Sequence, residues 1–95
     1  MNQLPLTALR AFEKVAEHLS FTRAAEALYV SQSAVSQQIA QLEERTGKRL
    51  VERSGRGLKL TPHGEILATA CQHSFGALER ALKRVSRGGG GAPCM

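Results

Sequence analysis

Between Ser31 and Gln41 the chain reads Ser-Gln-Ser-Ala-Val-Ser-Gln-Gln-Ile-Ala-Gln, a run rich in hydroxyls and carboxamides and free of charge. Such side chains do no acid–base chemistry near neutral pH. They donate and accept hydrogen bonds, and a carboxamide can meet the paired donor and acceptor that an adenine shows in the major groove. Spacing then sorts them. Val35, Ile39 and Leu42 recur at steps of four and three and share one helical stripe. Ser33, Ser36, Gln37, Ala40 and Gln41 fall on the opposite face, with Gln32 at the exposed start. A polar face without charge has little to do in a core and suits the groove of a duplex.

The other reactive groups are not arranged for catalysis. Ser36 has no His or Asp on its face to take its proton, so it is no nucleophile. Cys71 and His73, two apart on a helix, point in different directions and have no third ligand nearby, so no metal and no cofactor is expected. His18 and His63 sit at expected helix ends, as surface residues. Gly88 to Gly91 lacks the preceding strand and following helix of a phosphate-cradling loop. No catalytic residue is expected, and the chain does not read as an enzyme.

Charge supplies what the Ser and Gln face lacks. The net charge is +5. Residues 1 to 44 carry three basic side chains against five acidic ones. Residues 45 to 59 carry Arg45, Lys48, Arg49, Arg53, Arg56 and Lys59 against Glu52 alone, and Arg80, Lys83, Arg84 and Arg87 form a second cluster. Focused positive charge points to a polyanion, of which nucleic acid is the usual one. Two cysteines without a disulfide or zinc spacing, no secretory leader and no bilayer-spanning apolar run point to a reduced cytoplasm, here at the nucleoid.

The elements that hold these groups follow from periodicity and caps. A first helix is expected over residues 5–18, with Pro5 at its first position and Leu6, Leu9, Phe12, Val15, Ala16 and Leu19 inward. A second begins with Thr22 as its N-cap and carries Ala24, Ala25 and Leu28 inward. Tyr29-Val30 makes the turn, with Val30 tucked in, and Ser31 caps a third helix over residues 32–45 that Gly47 ends. Residues 49–53 and 58–61 read as a hairpin around Ser54-Gly55-Arg56-Gly57. Thr61 and Pro62 then open a fourth helix to about Val85, roughly 37 Å long. Its apolar seam of Leu67, Cys71, Ser74, Leu78, Leu82 and Val85 exceeds what so small a core covers, and is expected to pair with a second copy, bringing Cys71 near its mate.

Three short helices, a turn and a basic hairpin, in that order, make a mainly α winged helix-turn-helix with a two-stranded β wing and a long linker helix. The expected division is a domain over residues 1–61, a linker and dimerisation helix over 62–86 and a flexible Gly-rich tail over 87–95. The third helix is narrow enough for the major groove, and the hairpin would carry Arg53, Arg56 and Lys59 onto the flanking backbone or minor groove.

In its ordered motifs the chain resembles the amino-terminal domain of LysR-type transcriptional regulators. These motifs are Leu9-Arg10-Ala11-Phe12, Ser20-Phe21-Thr22-Arg23-Ala24-Ala25-Glu26-Ala27-Leu28, Ser31-Gln32-Ser33-Ala34-Val35-Ser36-Gln37-Gln38-Ile39, Leu42-Glu43, Gly47, Leu50-Val51-Glu52-Arg53 and Leu60-Thr61-Pro62-His63-Gly64. The similarity covers residues 4 to about 85. It implies base reading by Gln32, Ser33, Ser36 and Gln37, and phosphate contacts from Thr22, Ser31, Gln38, Arg53 and Arg56. It also implies a homodimer held by the last helix on an inverted-repeat promoter site. Many members carry Arg where Gln37 stands, so this chain is expected to favour adenine where they favour guanine. Such regulators continue into an effector-binding domain about twice this size, so a truncated or isolated DNA-binding domain with no inducer pocket is expected. Two other readings stay open: a partner that pairs with and inhibits a longer relative, and a sequence-indifferent architectural binder.

Overall fold

In a computed structural model the described residues, 4–88, form α1 (Leu6–His18), α2 (Phe21–Leu28), α3 (Gln32–Thr46), β1 (Val51–Ser54), β2 (Gly57–Leu60) and α4 (Pro62–Gly88). Three helices cluster around Phe12, Val15, Ala24, Val35, Ile39 and Leu42, and the antiparallel ribbon closes one end with Leu50 and Val51. The tail expected over residues 87–95 starts later, since α4 runs on through Arg87 and Gly88; the rest of it, with Cys94, lies outside the described residues. No helix among those residues is long and apolar enough to cross a membrane.

The first two helix starts differ from the sequence expectation. Pro5 stands one position outside α1, where its carbonyl accepts from Leu9 N at 2.9 Å. Ser20, not Thr22, caps α2: its backbone is extended and its Oγ accepts from Arg23 N at 3.1 Å. The helix can start this early because Leu19 takes a left-handed conformation and closes α1 on itself, with its N–H on Val15 O. Leu6 and Leu19, at the two ends of α1, are more than a third exposed rather than inward.

The α2–α3 turn is held the same way. Tyr29 adopts φ +60°, its N–H reaches Glu26 O and Val30 N reaches Ala25 O, the paired bonds that close a helix end. Glycine normally serves this position, and a side chain there costs about 1 kcal/mol. Tyr29 is 93 % exposed and Val30 47 % exposed, so Val30 is not tucked in as expected. The bend leaves the last residue of the turn over an open groove instead of the core.

The inner stripe of α3 is as expected: Val35, Ile39 and Leu42 are buried. Its start is capped by Ser31 Oγ, which accepts from Ala34 N at 3.1 Å, and its end by Gly47 N on Glu43 O at 2.8 Å. In the ribbon Val51 faces Leu60 and Ser54 faces Gly57, so the connection is the two residues Gly55-Arg56. Gly55 has φ +59° and Arg56 does not share the positive sign, the pattern of a II′ turn, which follows the natural twist of two strands. Arg56 thereby stands at the tip.

Helix α4 has two unlike halves. Thr61 caps it, its Oγ1 accepting from Gly64 N at 3.0 Å. Gly64, Leu67, Ala68, Cys71 and Phe75 face α1 and the ribbon; every residue from Ala77 to Arg87 is exposed. Gly64 is required by contact, because a β-carbon there would collide with the Leu50 carbonyl. Phe75 was not part of the expected seam. It lies under the Arg10 guanidinium, 5.4 Å from ring centre to Cζ, and Arg10 also reaches Glu79 at 3.8 Å.

Candidate nucleic-acid interface

The outer face of α3 is built by subtraction. Once Val35, Ile39 and Leu42 point inward, the helix must turn Gln32, Ser33, Ser36, Gln37, Ala40 and Gln41 out, and all six are exposed. Ser33, Ser36 and Gln37 have no intramolecular side-chain hydrogen bond among the described residues, so their donors and acceptors are available to a ligand. Gln32 is different. Its Oε1 accepts from Thr22 Oγ1 at 3.3 Å, which leaves its amide hydrogens to point outward.

Beside that pair is a notch of about 300 Å³ between the start of α2 and the ribbon. Thr22, Gln32, Arg53 and Arg56 all line it. Three separate stretches of chain thus bring together four of the residues expected to touch nucleic acid. The start of α2 adds the positive end of a helix dipole. Arg53 and Arg56 have no acidic partner among the described residues, so their charge is directed outward. Two guanidinium groups and the Gln32 amide around one concavity are a set of donors suited to a phosphate group, while the Thr22 hydroxyl directs its hydrogen to Gln32.

Other expected site residues are placed differently. Ser31 spends its oxygen on the α3 cap and keeps its hydroxyl hydrogen free. Lys59 pairs with Glu52, its neighbour across the ribbon, at 3.7 Å; Lys59 is exposed and Glu52 half-buried at the surface, so the pair is weak and the charge partly screened. Gln38 lies on the flank of α3 that faces Leu6 and Thr7 of α1, half-buried and away from the notch.

The seam of α4 divides. Ser74, Leu78, Leu82 and Val85 are exposed, the last three at 57 %, 66 % and 71 %. Leu67 is half-buried against the core. Cys71 corrects the expectation of a cysteine near its mate: it is 5 % exposed and its Sγ lies 3.8 Å from Leu9 O. Burial pushes its thiol up from the ordinary cysteine range, and the Glu13 carboxylate adds to the shift, so the sulfur stays protonated and unreactive. No group of three or more His, Cys, Asp or Glu among the described residues could hold a metal ion.

Two features escaped the sequence reading. One is an open apolar groove of about 440 Å³ between α1, the α2–α3 turn and Phe75, created by the exposed positions of Leu6 and Val30. The other is Glu43, which closes the base of the ribbon. Of two adjacent glutamates near the end of a helix, Glu43 and Glu44, the sequence does not show which one reaches the ribbon.

The family model for bacterial regulatory helix-turn-helix proteins of the lysR family matches residues 6–65. The chain belongs to the lysR family. The HTH-type transcriptional regulator BlaA of Proteus vulgaris is 52 % identical over 85 residues, which cover 90 % of this chain and 29 % of that protein. The HTH-type transcriptional activator AmpR of Pseudomonas aeruginosa is 53 % identical over 85 residues, with the same 90 % and 29 % coverage. The chain therefore spans less than a third of the length of these lysR-family relatives, which are regulators and not enzymes. Among solved structures, BenM_DBD in complex with catB site 1 DNA has a TM-score of 0.81 at 32 % identity, covering 94 % of this chain and 98 % of that one. The winged helix-turn-helix with its long last helix is thus the fold of a lysR-family DNA-binding domain.

Proposed function

We propose that this chain binds double-stranded DNA in a sequence-specific way as part of a bacterial transcription regulator, acting at the nucleoid in the cytoplasm. The observation that carries the proposal is the notch at which Gln32, the first residue of the uncharged outer face of α3, meets Arg53 and Arg56. In this reading Gln32, Ser33, Ser36 and Gln37 meet base edges, while Thr22, Ser31, Gln38, Arg53, Arg56 and the partly neutralised Lys59 hold phosphates. That the BenM_DBD structure is a DNA complex supports the reading.

The domain is proposed to act as a homodimer. Support comes from Leu78, Leu82 and Val85, exposed on a helix that has already left its own core. Two copies would present two α3 helices to successive major grooves of an inverted repeat, about one helical turn or a multiple of it apart. The same seam also favours a second reading, in which the chain pairs with a longer relative; co-purification with such a relative and loss of its DNA binding distinguish it. The test of the main reading is titration of promoter duplexes at rising salt. Binding that weakens with salt and survives competition by unrelated DNA is expected; binding to no duplex, or binding indifferent to salt, overturns it.

A further inference from the structure

The wing is a ribbon of two short strands, and such a ribbon does not hold its own position. Its only covalent ties are the loop after α3 and the junction to α4. From Val51 to the tip at Arg56 is five residues, roughly 17 Å of strand. A tilt of about 10° at the base therefore carries the tip by about 3 Å, more than a hydrogen bond to phosphate tolerates. Whatever fixes the base decides whether Arg53 and Arg56 arrive.

Two side chains fix it. On one side Thr61 Oγ1 donates to Arg49 O at 2.6 Å, and Thr61 N donates to Leu50 O at 3.0 Å. On the other, a single carboxylate oxygen, Glu43 Oε2, accepts from Leu50 N at 2.8 Å and from Val51 N at 3.3 Å. Arg49 Nε stands 3.7 Å from the same oxygen. Glu43 also belongs to the last turn of α3, where its own carbonyl accepts from Gly47 N and Thr46 Oγ1. It is thus the one side chain among the described residues that joins α3 to the backbone at the start of the wing by hydrogen bonds. Two converging N–H groups need an acceptor with no hydrogen of its own, which a carboxylate supplies.

We propose that Glu43 is a positioning residue for DNA binding: it sets the angle of the wing against α3, and so delivers Arg53 and Arg56 to the phosphates beside the bases that α3 reads. This rests on the DNA-binding reading above. Glu43 touches no nucleic acid itself. Its loss therefore affects every sequence alike, and affects it through the two arginines.

The test is a double-mutant cycle on the full chain. Glu43→Ala is expected to weaken binding to all duplexes about three- to tenfold, with base preference at the Gln37 position unchanged and the salt slope lower by about one. In an Arg53→Ala, Arg56→Ala background the same change is expected to cost less than about twofold, because the groups it positions are gone. Glu43→Gln, which keeps an acceptor oxygen of the same reach, is expected to restore most of the affinity. Equal losses in both backgrounds, an altered base preference, or a Glu43→Gln as weak as Glu43→Ala overturns the proposal. Amide exchange in the unmutated chain reads the same contact without a folding risk: slow exchange at Leu50 and Val51 supports it, and free exchange at Val51 overturns it. If the unmutated chain binds no duplex while Val51 is protected, the DNA-binding reading fails and the Glu43 contact stands.

Discussion

The outer face of α3 and the wing meet at one notch through Gln32 and hold opposite chemistries. α3 presents hydroxyls and carboxamides without a charge on its outer face; the wing presents Arg53 and Arg56 without an acidic partner among the described residues. A neutral donor–acceptor face gains little from a phosphate backbone and much from a matching base edge. An unpaired guanidinium gains from any phosphate at all. In the proposed DNA-binding reading, selectivity and affinity fall to separate elements, and each is expected to be removable without the other.

The largest expected effect comes from erasing one side. Arg53→Ala with Arg56→Ala should lower affinity for every duplex by about tenfold or more at physiological salt, and lower the salt slope by about two, read by titration at several salt concentrations. Gln37→Ala should act on the other side alone. Its cost is about 1–3 kcal/mol at one base pair of each half-site and nothing on unrelated DNA, read by binding a panel of single-base variants. A loss that is uniform over the panel would break the division. Gln37→Arg should sharpen it, moving the preferred base at that pair from adenine to guanine. Ser31→Ala removes the α3 cap and should cost about 1 kcal/mol of stability, read by thermal or urea unfolding. The smallest effect is expected for Lys59→Ala, less than about 1 kcal/mol in binding, since Glu52 already engages the charge. A Lys59 effect as large as that of Arg56 would show that the wing is read wrongly.

The sequence made α3 legible because a single helix had to satisfy two demands. With Val35, Ile39 and Leu42 inward, the outward set followed by rotation. The Thr61 cap and the turn around Gly55 were legible because few residue types serve those positions, but the strands run one residue further into the turn, to Ser54 and Gly57, than the sequence suggests. Errors came where local choices compete. Ser20 and Thr22 are both good caps, and the left-handed Leu19, which no propensity announces, decided for Ser20. Val30 was expected inside because it is apolar, but Tyr29 turns the chain so that Val30 covers a groove instead. Along α4 one apolar stripe served two purposes. Only the placement of α1 shows that Cys71 and Phe75 belong to the core, while Leu78 and Leu82 lie beyond it.

Gly64 has a mechanical consequence. Its α-carbon sits so close to the Leu50 carbonyl that no β-carbon fits between them. The first turn of α4 and the base of the wing are consequently in direct contact, backbone against backbone. α4 then acts as a crank arm roughly 40 Å long whose short end is the wing itself. A torque applied at the far end of α4 would reach Arg56 through this contact.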